Sequence, residues 1–181
     1  MERKPIPYKL IRSSRKTIAI QITPEGVVVR APLRISQAEL DRFVNSKRDW
    51  IEGHLSKVPP ALPMLSDAEL GELADRARRV IPERVRHFAL LVGVSYGTIT
   101  IRRQKSRWGS CSAGGNLNFN CLLMLMPEDV IDYVVVHELC HRLQMNHSAR
   151  FWAEVERVLP GYRTSLRWLK EHGTALIGRL G

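Results

Sequence analysis

The sequence predicts an α+β fold, mainly strand-built at its N-terminal end and helix-backed at its C-terminal end. Three observations predict it. Ile18, Ile20 and Ile22 alternate with Thr17, Ala19 and Gln21, the period-2 pattern of a half-buried strand. Two serine–glutamate pairs, Ser36 with Glu39 and Ser66 with Glu69, each open a stretch of helical apolar spacing. Residues 128–141 read as a helix with almost no polar face, which belongs in a core.

The elements follow in order. The first 32 residues read as strands, with a turn at Pro24-Glu25-Gly26 and a further strand at Val27-Val28-Val29 that Pro32 ends. Behind Ser36, one helical stripe gathers Leu40, Phe43, Val44, Trp50, Ile51 and Leu55. The run Val58 to Pro63 cannot continue a helix and is the best boundary in the chain. It divides a strand-rich subdomain over 1–58 that ends in a helix, a linker over 59–65, and a larger domain over 66–181. The second capping box starts a helix through Leu70, Leu73, Ala77 and Val80, which Pro82 is expected to kink or restart before Val85, Phe88 and Leu91. Strands are expected at Thr98 to Ile101 and over 116–123, where Leu117, Phe119 and Cys121 alternate with Asn118 and Asn120. Pro127 with Glu128 and Asp129 opens the apolar helix, and further helices are expected near 148–158 and 162–171.

Composition narrows the function classes. The 181 residues, 44% hydrophobic and 25% charged, suit a soluble globular protein of one domain or two small subdomains. No stretch approaches the roughly 20 apolar residues that cross a bilayer, and Met1 to Pro7 lacks the apolar run of a signal peptide. Three cysteines, an odd and sparse set, fit a reducing compartment, so a cytoplasmic location is expected and no membrane partner. The net charge of +10 suits an anionic partner, including nonspecific nucleic acid, or simply a basic solvated surface. Oligomeric state is not legible.

The chemistry sits in the apolar helix, at His137-Glu138-Leu139-Cys140-His141. Charged and imidazole groups in a core cost several kcal/mol unless compensated. Histidines four apart stand on one helical face and can reach one metal ion, and Glu138 beside them can take a proton from a water that the metal activates. A third ligand is wanted. His147 leads, but six residues of continuing helix would carry it roughly 9 Å past His141. The helix must therefore end and turn back, with Asn146 suited to a left-handed turn and Ser148 to capping the next helix. Glu154 and Glu156 on that next helix are the rival ligands. His54, His87 and His172 are expected at the surface.

Several runs together carry a resemblance: Arg107-Trp108-Gly109-Ser110-Cys111-Ser112, Asn118-Phe119-Asn120, Ile131 to His141, Asn146-His147-Ser148 and Phe151-Trp152. The chain resembles the YgjP-like family, small zincin-type metallohydrolases related to the SprT-like proteases. The resemblance implies a zincin-like core, its HExxH helix packed on a small mixed sheet, beside an N-terminal subdomain of β-hairpins and helix. It implies one zinc ion at His137, His141 and His147 with Glu138 catalytic. The spacing also matches the metzincin pattern, but Gln144 stands where those enzymes place glycine and no methionine turn follows.

Around this centre, Arg107, Trp108, Ser110, Asn118, Asn120 and Tyr162 are candidate substrate contacts, with Trp108 walling a cleft and Tyr162 an oxyanion donor or a packing residue. Cys111 is a weak candidate nucleophile or ligand. Arg102, Arg103, Lys105 and Arg107 form the sharpest basic cluster, suited to phosphate or to solvent. The expected function is metal-assisted hydrolysis, by zinc or by nickel, cobalt or manganese in the same site. A peptide is the leading substrate, adding by β-pairing to the strand at 116–123. The alternatives are a nucleoside triphosphate such as UTP, split to monophosphate and pyrophosphate, and a nucleic-acid-associated module whose metal is structural.

Overall fold

The computed structural model describes residues 5–23, 26–56 and 62–180. The chain divides into two compact units, Met1–Ala61 and Leu62–Gly181.

In the first unit, β1 (Tyr8–Ser13), β2 (Ala19–Thr23) and β3 (Gly26–Pro32) form a sheet in the order β1-β3-β2. β2 and β3 make the antiparallel hairpin that the alternation predicts, with Ile20 opposite Val29 and Ile22 opposite Val27. β1 belongs to no second hairpin; it lies parallel to β3, with Leu10 beside Val29. Pro24 and Glu25 of the expected turn lie outside the described residues, and Gly26 after them has a φ of +123°, open to glycine at no steric cost. Val27, Val29 and Ala31 of the central strand are buried with Leu40, Val44 and Ile51. Those last three come from α1 (Gln37–Ser46) and α2 (Arg48–Leu55). The single helix expected here breaks at Lys47, whose backbone (φ −106°, ψ 12°) leaves the helical region. Trp50 is consequently 45% exposed instead of sharing the apolar stripe.

The second unit begins with residues tied to its far end: Arg179 Nε donates to the Pro63 carbonyl, and Leu65 N–H to the Arg179 carbonyl. Residues 63–65, expected as linker, are therefore part of this unit; 57–61 lie outside the described residues. α3 (Asp67–Val92) runs through Pro82 without the expected restart. One lost backbone bond is outweighed by a stripe that continues across it, with Ala77, Ile81, Val85 and Phe88 all in the core. Leu91 lies outside that stripe and is exposed. β4 (Ile99–Arg102), β5 (Gly109–Cys111) and β6 (Leu117–Asn120) form a second sheet in the order β4-β6-β5, β6 parallel to β4 and antiparallel to β5. The strand expected over 116–123 stops at Asn120, whose Oδ1 accepts from Leu122 N–H and opens a 3-10 turn over Cys121–Leu125. β6 is thus interior, and β4 and β5 are the edges.

α4 (Glu128–Cys140) is the apolar helix, with Val130, Ile131, Val134, Val135, Val136 and Leu139 buried. It packs against α3, β5, α5 (Ala149–Val158) and α6 (Tyr162–Gly178). Each such side chain withdrawn from water contributes about 1.5–3 kcal/mol, which anchors the one helix that carries the polar centre. Arg157 of α5 donates to the Leu91 and Val92 carbonyls, satisfying the end of α3. No helix among the described residues is long and apolar enough to cross a membrane.

Candidate metal centre

Four-residue spacing places Tyr133, His137 and His141 one above the other on a single face of α4. Past His141 the chain turns at once: the N–H groups of Leu143 and Gln144 both bond to the Cys140 carbonyl. The turn uses no left-handed residue at Asn146, because every non-glycine φ among the described residues is negative. Arg142 pins it instead, donating from Nε to the Ser95 carbonyl and from Nη1 to the Ala113 carbonyl. Ser148 then caps α5 as expected, accepting from Phe151 N–H. The result returns His147 to α4, its Nε2 3.0 Å from Nε2 of His137.

Ring nitrogens of His137, His141 and His147 all lie within 4.8 Å of one another. His141 Nδ1 is 3.1 Å from the Gln144 carbonyl, which can only accept, so that nitrogen carries the proton and Nε2 keeps its lone pair. His137 Nδ1 lies 3.5 Å from the Tyr133 hydroxyl. Burial, reinforced by the charges of His141 and His147, pushes the His137 pKa down to about 3, so the ring is neutral. Burial also lowers His141, against the Gln144 carbonyl. Two imidazole nitrogens 3.0 Å apart need a proton or a cation between them, since facing lone pairs repel. The donor set, three convergent imidazoles, fits a transition-metal ion.

Glu138 is 6% exposed, and burial raises its pKa to about 8 against the opposing charge of Arg107. A cation among the histidines would favour its ionised form. The carboxylate presses on the backbone of β5, since a Cβ on Gly109 would meet Glu138 Cγ and Oε1 at 2.7 Å. Beside it opens a cleft of about 240 Å³ lined by Arg107, Trp108, Gly109, Tyr133, Val134, His137, Glu138 and Leu169.

Of the expected substrate contacts, the structure brings Arg107 and Trp108 to this cleft; Trp108 is one wall, seated against Gly173 of α6. Ser110 and Asn118 bond to each other across β5 and β6 at 3.2 Å and do not line it. Asn120 is wholly buried, its amide donating to the Gln104 and Arg107 carbonyls, which leaves no group for a substrate. Tyr162 is a packing residue, buried between Tyr133 and Trp152 at ring distances of 6.1 and 5.5 Å. Glu154 and Glu156 pair with Arg157 and Arg163 and stay out of the histidine cluster. Cys111 is held as a thiol, its pKa raised first by burial and then by Glu138. The basic cluster disperses: Arg102 donates to Asn118, Arg103 pairs with Asp67, and Arg107 alone reaches the cleft. Sequence reasoning missed Tyr133, Val134 and Leu169. Tyr133 was findable, four residues before His137 on the face that the histidines define. Leu169 was not, because its helix meets the cleft only through tertiary packing.

The model of the YgjP-like metallopeptidase domain matches residues 16–73 and 68–172. Among solved structures, the chain is similar to the metallopeptidase zymogen abylysin of Pyrococcus abyssi, with 24% identity and a TM-score of 0.46 over 51% of this chain and 94% of that one. The zymogen jannalysin of Methanocaldococcus jannaschii is similar at 21% identity and a TM-score of 0.45, over 52% and 96%. No curated protein matches. The matched stretches cover most of the chain, and with that it belongs to the YgjP-like family, defined by its metallopeptidase domain.

Proposed function

We propose that this protein is a zinc-dependent peptidase in which His137, His141 and His147 hold one zinc ion and Glu138 is the general base. The observation that carries the reading is the convergence of three histidine nitrogens beside a buried carboxylate that faces an open cleft. Zinc, when bound there, supplies a Lewis acid for the carbonyl under attack and brings the pKa of a water in its first shell toward about 7. Glu138 accepts the proton of the attacking water and returns it to the leaving amine. Its close approach to Gly109 limits where that carboxylate can sit, which favours a short path for the proton. Among the described residues β5 pairs only with β6, and an extended peptide adding to its other edge would pass beside Glu138, which lies against Gly109. This replaces the strand at 116–123, whose interior position leaves it no edge to offer. Trp108, Tyr133, Val134 and Leu169 give one substrate side chain an apolar seat, with Arg107 also lining it.

Of the basic cluster that favours a nucleoside triphosphate, only Arg107 lines the cleft, while Arg102 bonds to Asn118 and Arg103 to Asp67. The test sets the two substrates side by side: zinc-loaded protein and its Glu138→Gln variant against a mixture of unstructured peptides and against UTP. Peptide cleavage that falls about 10²–10⁴-fold in the variant, with zinc content unchanged, is the expected result. Pyrophosphate release that depends on Glu138, without peptide cleavage, overturns it. Stoichiometric zinc with neither activity would favour a structural metal.

A further inference from the structure

Phe151 occupies a singular position for a core residue. Its ring is fully buried, and its centroid lies 4.9 Å from that of His137, 4.7 Å from His141 and 4.9 Å from His147. The three imidazole centroids are themselves 5.0, 4.9 and 4.9 Å apart. Four rings at nearly equal separations stand at the corners of a near-regular tetrahedron. The phenyl ring therefore lies on the axis through the centre of the histidine triangle and fills one of its two sides. Because Phe151 is fully buried while His147 is exposed and His137 lines the cleft, the filled side is the core side. Trp152 extends the wall, 5.9 Å from both His137 and His147. Every atom Phe151 presents there is carbon, with no lone pair for a cation and no partner for a water.

We propose that Phe151 is a positioning residue that wedges the three imidazoles into a preformed metal-binding set and closes the core-side coordination position. The proposal rests on the reading of the histidines as a metal site. The wedge acts in two ways. It keeps the rings from drawing together, so the separation that suits a tetrahedral ion exists before the ion arrives and less ordering entropy is lost on binding. It would also shut the core side of an ion held there, so that an exchangeable ligand would enter from the cleft side, where Glu138 lies. A smaller side chain leaves a void into which the rings can relax and through which a second water can reach the ion.

The experiment uses the full-length protein, loaded with cobalt(II) as a spectroscopic stand-in for zinc, with Phe151→Leu and Phe151→Met as variants that keep an apolar core. Zinc affinity is measured by competition with a chromophoric chelator. The wild type is expected to give the intense visible absorption of four-coordinate cobalt. The variants, folded by circular dichroism, are expected to bind zinc about 10–100-fold more weakly and to give the weaker absorption of a higher coordination number. A loss of packing alone would lower the melting temperature and leave the cobalt spectrum unchanged. Folded variants with the wild-type spectrum and affinity overturn the proposal. So does a six-coordinate spectrum in the wild type itself, a result independent of whether either variant folds. Failure of the underlying reading looks different: His147→Ala would then bind zinc as well as the wild type does.

Discussion

Gly109 has no room for a side chain, and what fills its space is the Glu138 carboxylate. Gly109→Ala is therefore expected to displace Glu138 by an ångström or so and to lower kcat/KM roughly 100-fold or more. Zinc content and melting temperature should change little, because neither Gly109 nor Glu138 is among the three clustered nitrogens; peptide turnover and metal analysis on one sample check both. The Tyr133 hydroxyl lies 3.5 Å from His137 Nδ1, on the side of the ring away from the nitrogen that meets His147. Tyr133→Phe keeps the stacking on Tyr162 and removes this partner, so zinc affinity is expected to fall by up to about tenfold with the fold intact. Equilibrium competition against a chelator measures it. At this scale the histidines and Glu138 were legible because their spacing on one helix face is a property of the helix alone. The roles of Asn120 and Tyr162 were not, because whether an amide or a phenol meets substrate or core depends on what folds over it.

Caps and turns decide the elements. Both serine–glutamate pairs form complete capping boxes, and in each the serine's hydrogen bonds hold the glutamate pKa below the usual carboxylate value of 4.5. For Glu69 the backbone N–H of Ser66 is the larger cause and its hydroxyl the second. A carboxyl whose pKa is lower in the folded state stabilises the fold above its unfolded pKa, and the contribution is lost as pH falls through the folded pKa. Ser66→Ala is therefore expected to cost about 1 kcal/mol near pH 7 and less at an acid pH low enough to protonate Glu69 in the folded state as well. Urea unfolding of the pair at the two pH values checks the sign. Helix starts were legible since a cap is local chemistry. Interior breaks were not: the helix that should have continued through Lys47 stops, and the one that Pro82 was to kink or restart runs on as a single helix. In the second case the buried stripe from Ala77 to Phe88 outweighs one missing backbone bond.

In the whole molecule, the polar centre is sustained by the largest core. The second unit's core cluster includes most of α4, with Phe151 and Tyr162 from the helices behind the histidines. A cation bound there stabilises the folded state by mass action, by about 4 kcal/mol when its free concentration is a thousand times Kd. Removing it with a chelator is accordingly expected to lower the melting temperature of the wild type, and to leave that of His137→Ala unmoved; paired thermal scans with and without zinc test this. Local spacing was enough for the α+β class, both capped helices, the apolar helix and the HExxH pair, since each rests on residues within one or two helical turns of each other. Tertiary structure alone decided that β1 runs parallel to β3, that β5 and not β6 has the free edge, and that Arg102 and Arg103 turn away from the cleft while Arg107 reaches it. Strand order and side-chain neighbours are set by contacts between residues far apart in the chain, and a pattern of local spacing holds no information about which distant partner gains most by burial.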